Sequence, residues 1–300
     1  MPTLQPIQDH EHVDAREQLA ARRSLWVSVA LNLVLTALQA VTGLLAGSQA
    51  LVADAMHSLS DLLADFVAML AGHHSRKEAD DDHHYGHHRY ETAASLALGL
   101  LLLAAGAGML WTAAGKFAGS TPLSSVHPAA LVVALITLVS KEGLFRYMLA
   151  IAEKVRSSML VANAWHARAD AASSLVVALG IGGNLLGYTW LDPVAALLVG
   201  FMVGKTGWEF AWDALGDLMD RAADEQSVAA IRQTLLDTPG VLGLHDLRTR
   251  RMGDMILVDV HLELAAEQSV REGHDIAVQA RERVMAAFPV LDVMTHVDPV

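Results

Sequence analysis

The chain of 300 residues contains no cysteine, which excludes disulfide frameworks, thiolate zinc fingers, thiol catalysis and iron–sulfur clusters. Charged residues are scarce at 18%, so few ionisable side chains are available to cover a globular surface. Basic residues are fewer than acidic ones: 21 Lys and Arg stand against 33 Asp and Glu, which gives a net charge of −12. This balance argues against a nucleic-acid partner, because phosphate binding needs clustered cations. With a hydrophobic fraction of 53%, these shortages argue against a soluble enzyme.

Long apolar segments occupy the first two thirds of the chain. About 20 apolar residues in a helix cross the hydrocarbon core of a bilayer. Residues 24–53 form a run without a charge, and Trp and Tyr residues cluster near the ends of the later segments, as at membrane interfaces. We therefore predict six membrane-spanning helices. They lie within residues 24–53, 49–72, 92–114, 129–152, 159–186 and 193–211.

The distribution of Lys and Arg predicts the orientation of these helices. The N-terminal segment and the loops after the second and fourth spans contain eight Lys and Arg, and the opposite loops contain only Lys116. Positive charges concentrate on the cytoplasmic side of membrane proteins. We expect a multi-pass protein of the inner (plasma) membrane with cytoplasmic N- and C-termini.

The hydropathy falls sharply after residue 213. The pattern that follows predicts helix, strand, strand, helix and strand, with a turn around Gly253 and Asp254 between the first two strands. This order indicates a small two-layer α+β domain. The predicted organisation is a polar N-terminal tail (1–23), a six-span transmembrane domain (24–213) and a cytoplasmic α+β metal-binding domain (214–300).

Four ionisable residues of the second predicted span share one side of the helix. Asp54, His57, Asp61 and Asp65 lie at offsets of 0, 3, 7 and 11, within an arc of roughly 80° at about 100° per residue. Ionisable groups are costly in lipid, so such a stripe points to the interior of a bundle or a wet cavity.

The fifth predicted span repeats the arrangement with Asn163, His166 and Asp170 at offsets of 0, 3 and 7. His-x-x-x-Asp therefore occurs twice, once in each span. If the stripes face each other, His57, Asp61, His166 and Asp170 supply two imidazoles and two carboxylates. That set suits a tetrahedral divalent ion, with zinc the leading candidate. Its charge of −2 is neutralised by one such ion.

Protons compete with a metal at a site of this kind. Histidine titrates near physiological pH, and neighbouring carboxylates raise each other's pKa. A site that takes either metal or protons is the physical basis of antiport. The alternative interpretation is that these residues only hydrogen-bond the helices together, which suits one isolated His better than two matched pairs.

Two further groups of residues have the spacing of metal ligands. Asp80, His83 and His87 follow an i, i+3, i+7 pattern in the loop after the second span, where the alternative is a solvated loop or a loose metal-concentrating antenna. In the soluble domain, His261 lies on the polar face of the second strand. We group it with three residues of the neighbouring strands, His245, His296 and Asp298, as a carboxylate-bridged site; scattered surface His residues are the alternative.

From about residue 24 to the C-terminus, the chain resembles the cation diffusion facilitator family. The resemblance rests on residues 51–61 in the second span, 85–87 in the following loop, 163–170 in the fifth span, and 245–250 and 295–299 in the soluble domain. It implies a homodimeric metal/proton antiporter of six spans with a metallochaperone-like cytoplasmic domain, which exports zinc or a similar ion by alternating access.

The resemblance also implies roles for individual residues. The transport site would be formed by His57, Asp61, His166 and Asp170, and the loop site by Asp80, His83 and His87. A binuclear site in the soluble domain would include His245, His261, His274, His296 and Asp298. Arg89 and Asp220 match positions that pair in some relatives to hold the dimer at the membrane surface.

The metal is expected to be Zn²⁺, with protons as the counter-ion. His57 stands where well-described bacterial iron and zinc exporters have Asp, and imidazole favours Zn²⁺ over Mn²⁺. Export of Fe²⁺, Co²⁺, Ni²⁺ or Cd²⁺, or a membrane-anchored metal sensor, are the alternatives. An intramembrane zinc hydrolase is disfavoured because no His-Glu-x-x-His motif or open ligand position is evident.

The sequence leaves the roles of several ionisable residues open. They are Asp54, Asp65, Lys141, Glu142, Arg146, Lys205 and Glu209.

Overall fold

The computed structural model describes residues 7–75, 77–119, 125–155 and 158–300, with side chains from Trp26 onward except at residues 68, 155, 158, 159, 162 and 163. Six long helices occupy the first part of these ranges. Their bounds are α1 Ile7–Ala46, α2 Gln49–Ser75, α3 Arg89–Phe117, α4 Ala129–Val155, α5 Ser158–Leu185 and α6 Leu191–Leu218. Within the segment predicted as a polar tail, the chain is helical from Ile7, in keeping with its many Ala, Glu, Gln and Arg residues.

Three helices of the described ranges are long and apolar enough to cross a membrane: Trp26–Ala46, Arg89–Phe117 and Leu191–Leu218. Helices α2, α4 and α5 have 27 or 28 residues each, about 40 Å at 1.5 Å per residue, and carry more ionisable side chains. The helical bundle is confirmed, and the count of six spans stays a prediction.

Many exposed side chains of the helices are large and apolar. Leu45, Trp111 and Leu186 are 81–85% exposed, which is unfavourable in water and is expected of side chains that face lipid. The exposed leucines and tryptophans are therefore consistent with a bilayer around the bundle.

Two compact units can be distinguished in the chain. The first comprises Met1–Asp65 and Leu101–Gly207. Its core is built from small and branched side chains of the helices, including Leu51, Ala130, Val177 and Ile181, which are fully buried.

One buried carboxylate links two helices of this unit. Asp192, at the start of α6, accepts hydrogen bonds from the hydroxyl of Ser48 and from the backbone amides of Gln49 and Ala50. These amides belong to the first turn of α2, whose N–H groups lack partners within the helix. Asp192 thus caps a helix that begins 143 residues earlier in the chain.

A close backbone approach joins α3 and α6. A Cβ atom at Gly106 would lie 2.7 Å from both the Cα and the amide nitrogen of Gly204, and 3.0 Å from the carbonyl oxygen of Gly200. Only a residue without a side chain fits at position 106.

The second unit comprises Phe66–Leu100 and Trp208–Val300. It contains α7 (Glu225–Leu236), β1 (Gly243–Met252), β2 (Met255–Leu264), α8 (Val270–Ala287) and β3 (Val290–Pro299). The strand order is β1-β2-β3, with β1 antiparallel and β3 parallel to β2. The predicted α-β-β-α-β order is confirmed.

The sheet packs one face against the two helices. Residues at alternate positions of β2, Val258, Val260 and Leu262, are at most 1% exposed and pack in one core with Ile231 of α7 and Val284 of α8. The residues between them, including His261, stay on the opposite face, as the alternating pattern predicts.

The ends of β1 and β3 are set by their pairing with β2. β1 continues to Met252, which pairs with Met255 across the predicted two-residue turn, where Gly253 has φ of 62°. β3 pairs with β2 along its whole length, from Val290 to Pro299. Because these ends depend on pairing with another strand, the local sequence of β1 or β3 does not predict them.

Candidate metal sites

Three of the four predicted transport-site residues meet in the first unit. His57 and Asp61 of α2 and Asp170 of α5 each offer one ligand atom, and these atoms all lie within 4.8 Å of one another. The His57 Nδ1 atom is 3.7 Å from Asp61 Oδ2. All three residues are half-buried, so their ligand atoms face a restricted space between the two helices.

The fourth predicted ligand lies outside this group. His166 precedes Asp170 by about one turn of α5, but its side chain is exposed, and it is not among the clustered residues in the part of the chain that the structure describes. The side chain of Asn163 lies outside the described residues. The role of His166 as a ligand stays a prediction.

The loop after α2 brings Asp80, His83 and His87 together, again with ligand atoms within 4.8 Å of one another. Asp80 lies 3.4 Å from His83 Nδ1 and 3.5 Å from His87 Nε2. It also accepts a hydrogen bond from the His83 amide at 2.9 Å and another from Lys77. The Lys77 hydrogen bond, followed by that from the His83 amide, holds the pKa of Asp80 below its ordinary value, so the carboxylate is ionised and available to a cation.

His87 is oriented for metal binding through one nitrogen. The side chain of His87 is only 3% exposed, and its Nδ1 atom lies 3.2 Å from the carbonyl oxygen of Glu78. A carbonyl only accepts, so this contact places the proton on Nδ1 and leaves the lone pair of Nε2, the atom nearest Asp80, free for a metal.

Three histidines form one row across the sheet of the soluble domain. His245 of β1 pairs with His261 of β2, and His261 pairs with His296 of β3. The ring centroids are 5.0 Å apart in the first pair and 4.6 Å apart in the second. Asp298 lies beside the row: its carboxylate is 3.3 Å from His245 Nε2 and 2.9 Å from His261 Nδ1.

Asp298 connects the members of this row. His245, His261 and Asp298 have ligand atoms within 4.8 Å of one another, and His296 Nε2 is 3.3 Å from the other oxygen of Asp298. The pKa of Asp298 is lowered, first by the hydrogen bond from His261 and then by the charges of the neighbouring imidazoles. An ionised carboxylate between imidazoles is a donor set typical of zinc sites.

Sequence reasoning missed two features of this site. Glu263 Oε1 lies 3.0 Å from His245 Nδ1, and so adds a second carboxylate. Its position two residues after His261 on the same strand face was the signal that could have found it. Asp246 has φ of 48°, and the β1–β2 register shifts between His245 and Arg248; this bulge helps to aim His245, and no local pattern announces it.

Three further predicted residues lie outside the metal clusters: His274, Arg89 and Asp220. His274 is exposed on α8, outside the clusters found in the described ranges, so its part in a binuclear site stays a prediction. Arg89 donates a hydrogen bond to Asp220 at 2.6 Å within one chain. That pair is partly exposed, and its role in a dimer stays a prediction.

Comparison with known families matches nearly the whole chain. Residues 25–219 match the model of the cation efflux transmembrane domain. The chain belongs to the cation diffusion facilitator family. Residues 223–300 match the cytoplasmic domain of cation efflux proteins, a domain type whose ZT_dimer designation indicates dimerisation. Because this family consists of cation efflux transporters, this facilitator is not a hydrolase.

Several named relatives align with most of this facilitator. Metal tolerance protein C1 of Arabidopsis thaliana is 36% identical over 88% of this chain, which spans only 59% of that relative's length. Magnetosome protein MamB of Magnetospira sp. (strain QH-2) is 33% identical, covering 92% of this chain and 94% of its own. The manganese efflux system protein MneS of Bacillus subtilis (strain 168) is 31% identical, covering 91% and 93%. These likenesses support a membrane protein that exports divalent metal cations.

Proposed function

We propose that this facilitator exports Zn²⁺ from the cytoplasm in exchange for protons. The observation that carries the proposal is the convergence of His57, Asp61 and Asp170 from two helices, with ligand atoms within 4.8 Å. One imidazole and two carboxylates are a donor set that zinc accepts, and His166, one turn before Asp170, is the proposed fourth ligand. With His166, all four ligands would come from protein side chains.

The choice of zinc over manganese follows from the donor atoms. Imidazole nitrogen suits Zn²⁺, Co²⁺ and Ni²⁺, whereas carboxylate and water oxygens suit Mn²⁺. His57 is the clustered nitrogen donor, so this residue determines the preference. The relative named for manganese efflux is 31% identical, and its name describes that protein only.

The proposed cycle uses alternating access. The loop residues Asp80, His83 and His87 capture the ion at the cytoplasmic edge, and the ion then loses its water to the transport site. The bundle changes conformation to open the site to the other side of the plasma membrane. Protons displace the ion there, because His and paired carboxylates bind protons where they lose a divalent cation.

The soluble domain supports this cycle in the proposal. Metal bound by the row His245, His261 and His296 with Asp298 stabilises a homodimer formed through the cytoplasmic domains. Both termini lie in the cytoplasm in this arrangement. The domain's own core is small for about 80 residues, so bound metal and a partner surface add stability that it lacks alone.

The test is zinc uptake by full-length protein reconstituted in vesicles with an imposed pH gradient. Asp61→Ala and Asp170→Ala are expected to reduce zinc flux at least tenfold, about 1.4 kcal/mol or more of lost site binding. Glu282→Ala, which removes an exposed carboxylate of α8, is the matched control and is expected to keep the parental flux. Parental flux in either transport-site variant would refute the site.

The metal preference is tested in the same vesicles. Competition of Zn²⁺ against Mn²⁺, Fe²⁺, Co²⁺, Ni²⁺ and Cd²⁺ is expected to favour zinc. His57→Asp replaces the nitrogen donor with oxygen and is expected to shift the Zn²⁺/Mn²⁺ flux ratio toward manganese by about tenfold or more. An unchanged ratio would show that His57 does not set the preference.

A further inference from the structure

A lysine is buried within the first unit beside the proposed transport site. Lys141 of α4 is 2% exposed, and its ammonium donates a hydrogen bond to the hydroxyl of Ser58 at 3.0 Å. Ser58 directly follows the ligand His57. An ammonium group away from water is costly unless nearby negative charge compensates it.

An acidic residue near the site, Asp54, is buried as well. Asp54 is 0% exposed, and its carboxylate accepts hydrogen bonds from Gln39, from Ser174 at 2.9 Å and from Ser173 at 3.4 Å. Gln39 and Ser174 donate to the same oxygen, Oδ2, whereas the single proton of the Ser173 hydroxyl is shared with the carbonyl oxygen of Asp170 at 2.8 Å; the Asp54 carboxylate thus acts as an acceptor. None of these donors carries a charge, so they solvate the negative charge of Asp54 without neutralising it.

Asp54 and Lys141 both lie beside the same ligand, His57. Asp54 precedes it by three residues on α2, and Lys141 donates to the next residue, Ser58. Without this pair, the carboxylates of Asp61 and Asp170 carry two negative charges, which one divalent cation balances. Asp54 alone would leave three negative charges around the site, and Lys141 alone would leave one. Together the two residues cancel.

Asp65, one turn after Asp61 on α2, carries a further negative charge, but it is exposed, so solvent screens that charge. On α4, two further charged residues neutralise each other. Arg146 and Glu142 pair with each other, with Arg146 Nε 2.8 Å from Glu142 Oε1. Of the two lysines of α4, Lys141 is buried and Lys154 is exposed.

We propose that Lys141 and Asp54 form a fixed pair of opposite charges that holds the transport site at a net charge of −2 and so matches it to a divalent ion. The inference rests on the proposed transport site. Lys141 acts here as a specificity-determining residue through its charge, and it does not contact the ion.

The test is a double-mutant cycle on zinc flux by the full-length protein in vesicles. Asp54→Asn removes one negative charge near the ion and leaves the positive charge of Lys141 uncompensated. It is therefore expected to raise the KM for zinc about tenfold. Lys141→Met leaves an excess negative charge and is expected to lower KM while slowing kcat, because the ion is released less readily. The double variant restores the charge of −2, and its KM is expected to return to within about threefold of the parental value.

The controls separate charge from packing. Lys141→Arg keeps the charge and is expected to keep the parental KM, and Lys116→Met removes a lysine at the end of α3 and is expected to change nothing. If Lys141→Met does not insert, Lys141→Gln replaces it in the cycle. Effects of the single variants that multiply in the double variant would overturn the inference, as would a rise in KM for Lys141→Met.

Failure of this inference is distinguishable from failure of the proposed function. Absence of zinc flux in the parental protein, or full flux in Asp61→Ala, would refute the transport site itself. An active parent with multiplicative Asp54 and Lys141 effects would refute the charge pair alone.

Discussion

Gly106→Ala is expected to force α3 and α6 apart. A Cβ atom there would lie 2.7 Å from two backbone atoms of Gly204 and 3.0 Å from the carbonyl of Gly200. Carbon atoms in contact normally lie about 3.5–4.0 Å apart. The obstacle is backbone, which has no rotamer to move away, so the helices must separate by about 1 Å.

The magnitude follows from a comparison with a second glycine of the same helix. A Cβ at Gly108 would meet nothing within 4 Å. Both substitutions gain the same helix propensity, about 1 kcal/mol for Gly to Ala, so this contribution cancels between them. What remains is the cost of overpacking, typically about 1–3 kcal/mol. We therefore expect Gly106→Ala to be less stable than Gly108→Ala by about 1–3 kcal/mol.

The measurement is the free energy of unfolding of the full-length protein in mixed detergent micelles, followed by tryptophan fluorescence. Trp111 on α3 and Trp208 on α6 report on the two helices concerned. Zinc flux of both variants is measured alongside. Equal stability of the two variants would refute the close approach of α3 and α6 at Gly106.

Two further predictions concern the sites outside the bundle. His87→Ala is expected to remove one zinc equivalent from the full-length protein in equilibrium dialysis, whereas His84→Ala, on the exposed side of the same loop, is expected to keep it; equal losses would contradict the loop site. The pKa of Asp298 is lowered by His261, so its contribution to stability is complete above the ordinary Asp pKa of about 3.9 and is lost as pH falls through the lower folded-state pKa. Asp298→Asn is therefore expected to speed amide exchange in β3 at pH 6 and to match the parent at pH values below the folded-state pKa, with Asp275→Asn as an unaffected control; a difference that grows on acidification would contradict this reasoning.

The soluble domain was more predictable than the contacts of the bundle. The period of two along β2 determines which side chains share a face, and a two-residue turn fixes the pairing of β1 with β2. His261 and Asp298 could be grouped on this basis. The bulge at Asp246 breaks the regular count, and only the folded sheet shows where it lies.

In the bundle, helical period predicts a stripe and leaves the rotation of each helix undetermined. The spacing placed His57 and Asp61 on one side of α2, and the structure brings Asp170 to them. Whether α5 also turns His166 inward depends on its packing against neighbouring helices, which no spacing within α5 specifies. The contact between Lys141 and Ser58 joins residues 83 positions apart, so it was out of reach for the same reason.

The hydrogen bonds of Asp192 constrain how this facilitator can move. One carboxylate at the start of α6 holds the hydroxyl of Ser48 and the first amides of α2, away from water. These hydrogen bonds therefore hold the start of α6 against the start of α2. In the proposed cycle, a rearrangement that opens the site of His57 and Asp61 to the other side of the membrane would have to move α6 together with this end of α2, or pivot about the hydrogen bonds of Asp192.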